Sequence, residues 1–265
     1  MFPPFRVTIA PLPRPLLTIV AAVVMAGKLH GGGSPNPPPV YNSQSGKELA
    51  EQLCAAFPLE SSDRHGVFVI GSGRNKTEIP MECQVILQEG MWETVYLTSN
   101  TPAAGAEKLV IIHATNGPNH YLYARAPKPG APLPEAGPIS PEALEEPFAG
   151  SDFSIGELGL EFFHWPGQQE RKPGELRLGQ SCRVLESTSG QKTGIVRVRS
   201  SIDRDRLGLL YAEAYDRAGS KIKEFSLDSK SFTKDAQGHG ELKEIGIDNL
   251  KKHSHTDLKF DTVKY

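Results

Sequence analysis

The sequence predicts a mainly β-protein of the α+β class, built on one large, curved antiparallel sheet. Apolar and polar residues alternate over many short segments after residue 80, as in strands with one buried face. No strand–helix–strand alternation typical of a parallel sheet is present. The chain has 26 glycines and 22 prolines, which supply turns between short strands. Residues 45–265 therefore fit a single sheet or open-barrel domain.

The first 44 residues precede this domain. Arg6 and Arg14 come before a short apolar run at 16–24, and small residues follow it, which is the pattern of a secretory signal peptide (1–26) cleaved after Ala26. A membrane anchor is the alternative, but the run is shorter than the roughly 20 apolar residues of a spanning helix. Residues 27–44 are rich in Gly and Pro and predict a disordered leader. We therefore expect an exported protein that is soluble in the periplasm after cleavage.

One amphipathic helix is predicted where the domain begins. Ser45 and Glu48 have the spacing of a capping box, in which each side chain binds a free backbone N–H at the helix start. From Leu49 onward an apolar residue recurs at every fourth position, and Pro58 ends the helix.

Alternation then predicts a meander of strands joined by turns. The predicted strands lie at 81–87, 95–97, 109–112 and 121–123, and later at 196–199, 207–215, 221–227, 242–247 and 258–263. The glycines at 71–76 predict a turn and not a phosphate loop, because no helix follows. The Pro-rich loop 126–150 contains one predicted helical turn, which begins at Pro141 after Ser140. A loop of this length in a compact domain is typically functional or mobile.

Composition and motifs exclude several classes of function. A net charge of −2 provides no basic surface for DNA or RNA, so nucleic acid is not an expected partner. No nucleophile elbow or triad pattern is present. His253 and His255 could share one face of a strand, but no third ligand accompanies them, and a solvated polar link is favoured. We predict no catalytic residue, no metal and no cofactor, and therefore no enzyme.

The three cysteines leave two alternatives open. An oxidising compartment permits a disulfide, and Cys54 with Cys83 is the first pair to consider. The odd count leaves Cys182 over in that case. The alternative is three buried apolar thiols.

The densest apolar segment lies at 151–166. A helix is predicted to start at 152–157, capped by a side-chain oxygen of Ser151 or Asp152, with Glu157 in its first turn. The large apolar side chains of the segment are Phe153, Leu158, Leu160, Phe162, Phe163 and Trp165. These side chains either plug the concave side of the sheet or form the wall or lid of a ligand cavity.

Three motifs of this region resemble the bacterial outer-membrane lipoprotein-sorting family, which is similar to LolA and LolB. They are Ser151-Asp152-Phe153-Ser154-x-x-Glu157-Leu158, His164-Trp165-Pro166 and Leu210-x-Ala212-Glu213-Ala214-Tyr215-Asp216. The resemblance covers about residues 145–262. It implies a half-open antiparallel barrel with helices covering its concave side, and a cavity between sheet and helices that holds acyl chains.

The resemblance implies a function as well as a fold. We expect a periplasmic carrier or binding protein for acyl chains of lipids or lipoproteins, with the large apolar side chains of 153–165 lining or covering the cavity. Envelope proteins and peripheral membrane contact are further expected partners. The alternatives are a sensory or protein-interaction module with the same fold and, less favoured, an envelope hydrolase.

Overall fold

The computed structural model describes residues 43–101, 105–114, 117–171, 175–191, 194–227, 231–234 and 240–261. The predicted signal peptide, most of the predicted leader, and the end of the last predicted strand lie outside these residues. The strands are β1 (Ser62–Ser72), β2 (Asn75–Gln88), β3 (Met91–Thr98), β4 (Glu107–Ala114), β5 (His120–Arg125), β6 (Gly137–Pro138), β7 (Gly167–Glu170), β8 (Glu175–Arg177), β9 (Gln180–Thr188), β10 (Arg197–Asp203), β11 (Leu209–Tyr215), β12 (Lys221–Ser226), β13 (Phe232–Lys234), β14 (Gly240–Leu242), β15 (Glu244–Asn249) and β16 (Ser254–Phe260).

Fourteen of these strands form one antiparallel sheet. Its order is β6-β5-β4-β3-β2-β1-β16-β15-β12-β11-β10-β9-β7, with β8 also paired to β9. The terminal strands β6 and β7 do not pair with each other, so the sheet stays open. Strands β13 and β14 form a separate hairpin. The predicted fold class, a mainly β-protein with one large antiparallel sheet, is confirmed.

Strand β1 is the longest element that the alternation pattern misses, and β7, β8 and β9 were missed as well. Its inward positions include Arg64 and Gly66 before Phe68, so polar and small residues interrupt the apolar face. Arg64 is only 4% exposed, because Nη1 donates to the Leu242 carbonyl at 2.9 Å and the guanidinium lies 4.8 Å from the centre of the Phe260 ring. A buried arginine held by residues distant in the chain has no local sequence signature.

The predicted first helix exists, but its start is displaced. Helix α1 (Ser43–Cys54) begins before Ser45, so the predicted capping box of Ser45 and Glu48 lies inside the helix. The Ser45 side chain hydrogen-bonds Glu170 on β7 instead. A Cβ at Gly46 would lie 2.6 Å from the Gln169 Cα. Only glycine therefore allows α1 to lie directly on β7.

The concave face of the sheet carries the core and is covered by residues 141–165, which we call the cover segment. This segment contains the 3₁₀ turns Pro141–Glu145, Phe148–Gly150 and Glu161–His164 and one short helix, α2 (Ile155–Leu158). The helical turn predicted after Ser140 is thus confirmed.

The structure decides between the cysteine alternatives and places His255, which was predicted in a polar link, on a strand. Cys54, Cys83 and Cys182 are free thiols, so the Cys54–Cys83 disulfide is not formed. His255 lies on β16 between two carboxylates, with nitrogens 2.8 Å from Asp248 and 2.7 Å from Asp257. Among the described residues no cluster of three or more His, Cys, Asp or Glu side chains could hold a metal ion.

Candidate functional site: the cover segment and its cleft

The start of α2 is fixed by a capping box at Ser154, and not by the predicted caps Ser151 or Asp152. Ser154 is the N-cap: its hydroxyl accepts from the Glu157 N–H at 3.3 Å, and the Glu157 carboxylate accepts from the Ser154 N–H at 2.8 Å. The predicted caps, Ser151 and Asp152, precede this position. Each hydrogen bond satisfies a backbone donor that the first turn of a helix leaves free.

Asp152 attaches the cover segment to the sheet. Its carboxylate accepts hydrogen bonds from the hydroxyls of Ser254 at 2.6 Å and Thr256 at 2.9 Å. Its own N–H donates to Thr256 Oγ1 at 3.0 Å. Lys223 Nζ donates both to the Asp152 carbonyl and to the Glu157 carboxylate, each at 2.7 Å. The polar residues of the motif therefore hold α2 against β12 and β16.

Glu107 on β4 holds the preceding part of the segment. Its side chain is 4% exposed and accepts the Ala149 N–H at 2.9 Å and the Tyr123 hydroxyl at 2.7 Å. Arg125 donates from Nε at 2.9 Å and Nη2 at 2.8 Å to the other carboxylate oxygen. Because this buried charge is paired and fully hydrogen-bonded, it can stabilise the left-handed backbone of Ala149 (φ 55°).

The last turn of the segment is tied to β5 and β7. Asn119 Nδ2 donates to the Gly159 carbonyl at 2.9 Å, and the Tyr121 hydroxyl donates to Glu161 at 2.8 Å. Burial raises the pKa of Glu161 more than its hydrogen bonds lower it. Gln168 Nε2 lies 2.9–3.2 Å from the carbonyls of Phe162, Phe163 and Trp165, and thereby satisfies the end of the 3₁₀ turn.

Aromatic side chains fill the space beneath the cover segment. Phe153 is 2% exposed and lies 6.2 Å, ring centre to ring centre, from both Phe68 and Phe225. Phe148 is 0% exposed and lies 5.8 Å from Phe68. Two voids beside these rings measure about 30 and 60 Å³. Voids of this size admit a few water molecules and no acyl chain.

A larger cleft lies beside the packed region, between α1, the end of the cover segment and residues 117–118. Its volume is about 630 Å³. Its lining residues are Lys47, Ala50, Glu51, Cys54, Ala55, Gly117, Pro118, Phe163, His164, Trp165, Pro166 and Gln168. Small-molecule sites commonly measure about 300–1,000 Å³ and are mostly apolar, so this cleft is the candidate site.

The structure separates the predicted cavity residues into three groups. Phe163 and Trp165 line the cleft, Leu160 and Phe162 line the 30 Å³ void, and Phe162 and Trp165 also line the 60 Å³ void. Phe153 is packed in the core, and Leu158 is partly buried against it. The α1 residues of the cleft were not identified from the sequence. Gly46 was the available signal, since a glycine within an amphipathic helix indicates close packing against another element.

The inner wall of the cleft is uncharged near neutral pH. Burial lowers the pKa of His164, which keeps its imidazole neutral. Burial, with smaller effects from Glu161 and Glu51, raises the pKa of the Cys54 thiol to about 12. A protonated thiol is a poor nucleophile, so the wall is suited to binding and not to covalent chemistry.

Comparison with known proteins assigns a family and a fold. A family model described as "Uncharacterized protein" matches residues 93–265. The chain belongs to this family. The matched residues include the cover segment and the cleft residues 163–168, whereas α1 lies outside them. A comparison with curated proteins gives no significant match.

Solved structures share the fold of this family member. A domain from Vibrio parahaemolyticus named for outer membrane lipoprotein sorting matches with a TM-score of 0.66 and 18% identity, over 84% of this chain and 93% of that chain. A DUF1329 family protein from Desulfovibrio piger matches with a TM-score of 0.63 and 15% identity, over 85% and 94%. A LolA superfamily protein from Nitrosomonas europaea gives a TM-score of 0.49 and 16% identity, over 84% and 93%. The first two matches show that this chain shares the fold of those two proteins. In the part of the chain that the structure describes, no helix is long and apolar enough to cross a membrane.

Proposed function

We propose that this protein is a periplasmic, LolA-like carrier or binding protein for lipoprotein acyl chains or another hydrophobic ligand, and that it acts without catalysis. The cleft beside α1 carries the proposal. Its volume of about 630 Å³ suits a ligand the size of an acyl chain, whereas the voids of about 30 and 60 Å³ beneath the cover segment do not. The sorting role named for one structural neighbour supports the same ligand class.

The walls of the cleft match a ligand with an apolar body and a polar end. Trp165 offers aromatic surface beside Phe163, which is 5% exposed, while Lys47 and Glu51 stand at the rim with side chains 75% and 64% exposed. Burying a 16-carbon chain would contribute on the order of 12 kcal/mol before association costs are subtracted. Because the cleft is open to solvent on one side, only part of that gain is realised. A modest net affinity suits a carrier, which must release its ligand.

In this proposal the two sets of predicted residues have different roles. Phe163 and Trp165 touch the ligand, and Phe153, Leu158, Leu160 and Phe162 support the wall from behind. Ser151, Asp152 and Glu157 orient the cover segment through hydrogen bonds to the sheet and within the segment itself.

Quenching of Trp165 by a brominated fatty acid tests the cleft directly. The chain has two tryptophans, so Trp92→Phe leaves Trp165 as the only emitter. We expect saturable quenching by 9,10-dibromostearate in this background. Ala55→Phe places a ring in the cleft from an exposed position and should weaken binding about tenfold or more, whereas Ala55→Ser should not. Equal quenching in the Phe and Ser variants would place the ligand elsewhere and reject the cleft.

The packed interior is the observation that favours the alternative, an envelope sensory or interaction module. Native mass spectrometry of protein purified from the periplasm without detergent separates the two. A co-purifying acyl species that Ala55→Phe removes supports the carrier. A ligand-free mass, with no uptake of offered lipid, favours the interaction module. The same spectrum tests export, because cleavage after Ala26 predicts a defined mature mass.

A further inference from the structure

A tight hairpin with an unusual sequence joins β8 to β9. Its two central residues, Leu178 and Gly179, both have positive φ, at 50° and 75°. Positive φ at both central positions is the geometry of a type I′ turn, which favours Asn-Gly or Asp-Gly. A Cβ added at Gly179 would meet no atom within 4 Å, so the turn projects into open space.

Leucine is disfavoured at a position with positive φ, and at Leu178 no burial of the side chain offsets the cost of this backbone conformation. Among the described residues, the other non-glycine positions with positive φ are Ala149, Leu160, Leu207 and His253. Ala149 and Leu160 are buried, and Leu207 packs against the core. Histidine is comparatively frequent in this conformation. Leu178 is 45% exposed, so its strained backbone yields no packing. Such a local conflict points to a functional role.

A second leucine of the same hairpin is exposed as well. Leu176 is 70% exposed, which is the highest value among the large apolar residues that the structure describes. It lies on β8 opposite Ser181, two residues before Leu178. We call residues 175–180 the leucine hairpin.

A turn with two exposed arginines lies next to the leucine hairpin. The Asp203 carboxylate accepts the N–H groups of Asp205 at 2.8 Å and Arg206 at 3.0 Å, and these bonds shape the turn. The Arg204 N–H donates to the Ser181 carbonyl at 3.0 Å, which joins the turn to β9. We call residues 204–206 the arginine turn.

The Glu175 carboxylate of the leucine hairpin is engaged by other arginines. It pairs with Arg177 at 3.0 Å and with Arg199 at 2.7 Å. Arg204 and Arg206 are both exposed, with the exposed Asp205 between them, and the charge of Arg204 helps to lower the pKa of Glu170 on β7. Apolar tips and exposed cations therefore occur together at this edge of the molecule.

We infer that the leucine hairpin and the arginine turn together contact a membrane surface that contains anionic lipid. Leu176 and Leu178 enter the headgroup–acyl boundary, and Arg204 and Arg206 face the anionic headgroups. A protein partner fits this tip less well, because stable protein interfaces bury about 800 Å² per partner over a complementary surface, whereas a two-residue tip is small and convex. The inference does not depend on the cleft, although membrane contact would bring a ligand-binding protein to its lipid.

Depth-dependent quenching tests insertion at the tip itself. Leu176→Trp places a reporter on the hairpin, and Leu59→Trp places a matched reporter at another exposed leucine, 52% exposed. Vesicles of phosphatidylcholine and phosphatidylglycerol containing brominated acyl chains should quench the tryptophan at 176 and leave the one at 59 near its starting intensity. The signal of the native tryptophans is measured on the unsubstituted protein and is subtracted from the signal of each variant. Equal quenching at both positions, or none at 176, would overturn the inference.

Vesicle flotation tests the energetics with variants that preserve the turn. Leu178→Asn installs a residue that type I′ turns favour, so a loss of binding cannot be ascribed to a broken hairpin. Leu176→Ser and Leu178→Asn should each weaken partitioning about tenfold, and Arg204→Gln and Arg206→Gln about fivefold each, on anionic vesicles only. Leu59→Ser should have no effect.

Two results would reject membrane contact. One is unchanged flotation of the Leu176→Ser/Leu178→Asn double variant. The other is failure of the unsubstituted protein to bind anionic vesicles while the same leucines are required to retain an envelope protein in pull-down, which would assign the tip to a protein partner.

Discussion

The cover segment meets the rest of the molecule differently at its two ends. Under residues 148–162 its aromatic side chains enter the sheet and leave voids of about 30 and 60 Å³. At Phe163 and Trp165 it borders a cleft of about 630 Å³. One aromatic-rich stretch thus provides a plug at one end and a wall at the other, and its composition does not distinguish the two roles.

The difference between the two ends follows from their polar partners. Asp152 and Glu157 face Lys223 and the hydroxyls of β16, which draw the plug onto the sheet. At the other end the backbone carbonyls of 162–165 are satisfied by Gln168 on β7, at the edge of the sheet. The segment therefore turns toward α1 and leaves space between them.

The largest expected effect comes from truncating Phe153, a buried aromatic side chain of the packed residues 148–162. Phe153→Ala removes a ring that contacts Phe68 and Phe225 and should destabilise the protein by about 3–5 kcal/mol, because the packed surroundings cannot close the cavity. Urea unfolding followed by far-UV circular dichroism measures the loss. Leu158→Ala, at a partly buried position of the same segment, is the control and should cost less. A cost below about 1 kcal/mol for Phe153→Ala would contradict tight packing at this end.

Removing the cation beneath α2 should produce the next largest effect. Lys223→Met leaves the Glu157 carboxylate, 14% exposed, without its partner at 2.7 Å. We expect a loss of about 2–3 kcal/mol, less than for a fully buried pair because both groups retain some solvent contact. The double variant Lys223→Met/Glu157→Gln should recover part of it.

The exposed pair Lys47–Glu51 provides the control for this loss. Its side chains are 75% and 64% exposed at an N–O distance of 3.7 Å, so Lys47→Met should change stability by about 0.5 kcal/mol or less. Equal losses at Lys223 and Lys47 would mean that the plug is not held by its ion pair.

Much of the fold could be predicted from the sequence, because alternation is a local property. Strands β3 and β4 keep a regular apolar face and were located closely, whereas β1 was missed because Arg64 and Gly66 occupy inward positions. The cap of α2 was placed two or three residues early, since Ser151, Asp152 and Ser154 are all acceptable caps. Only the contact of Asp152 with Thr256, far along the chain, distinguishes them.

The candidate site was less predictable than the fold. Phe163 and Trp165 were identified because they belong to a visibly apolar segment, but Ala50 and Cys54 are ordinary residues of an amphipathic helix. Their role arises from where α1 packs, and that depends on the fit of Gly46 against β7. Contacts between distant segments leave no periodic trace in a sequence.

The pKa values of two histidines, His113 and His255, are shifted in opposite directions. Burial lowers the pKa of His113, which is 8% exposed and stacked on Trp92 at 3.5 Å, to about 3. Burial alone would also lower the pKa of His255, but hydrogen bonds to Asp257 and Asp248 outweigh it and raise that pKa. The neutral form of His113 and the charged form of His255 are therefore the forms that the fold favours.

The opposite pKa shifts of His113 and His255 predict opposite dependences of stability on pH. Stability from neutral His113 is present above its unfolded pKa of about 6.5 and is lost as pH falls, by about 2 kcal/mol at pH 5. Stability from charged His255 is complete below about pH 6.5 and is lost as pH rises through its raised pKa. Urea titrations of His113→Phe and His255→Gln at pH 5 and pH 8, each compared with the unsubstituted protein, measure both. If the difference in stability between His113→Phe and the unsubstituted protein were the same at pH 5 and pH 8, this histidine would be accessible to solvent.

The smallest effect expected of an aromatic truncation lies at the cleft. Trp165→Ala removes as large a ring as any in the cover segment, yet this side chain is only partly buried and borders the cleft, so its loss opens onto existing space. We expect a loss of about 1 kcal/mol or less, because cavity formation accounts for much of the cost at packed sites. Urea unfolding of Trp165→Ala and Phe153→Ala under the same conditions provides the measurement. Equal losses would mean that α1 closes over the ring in solution, and the cleft could not then be the binding site.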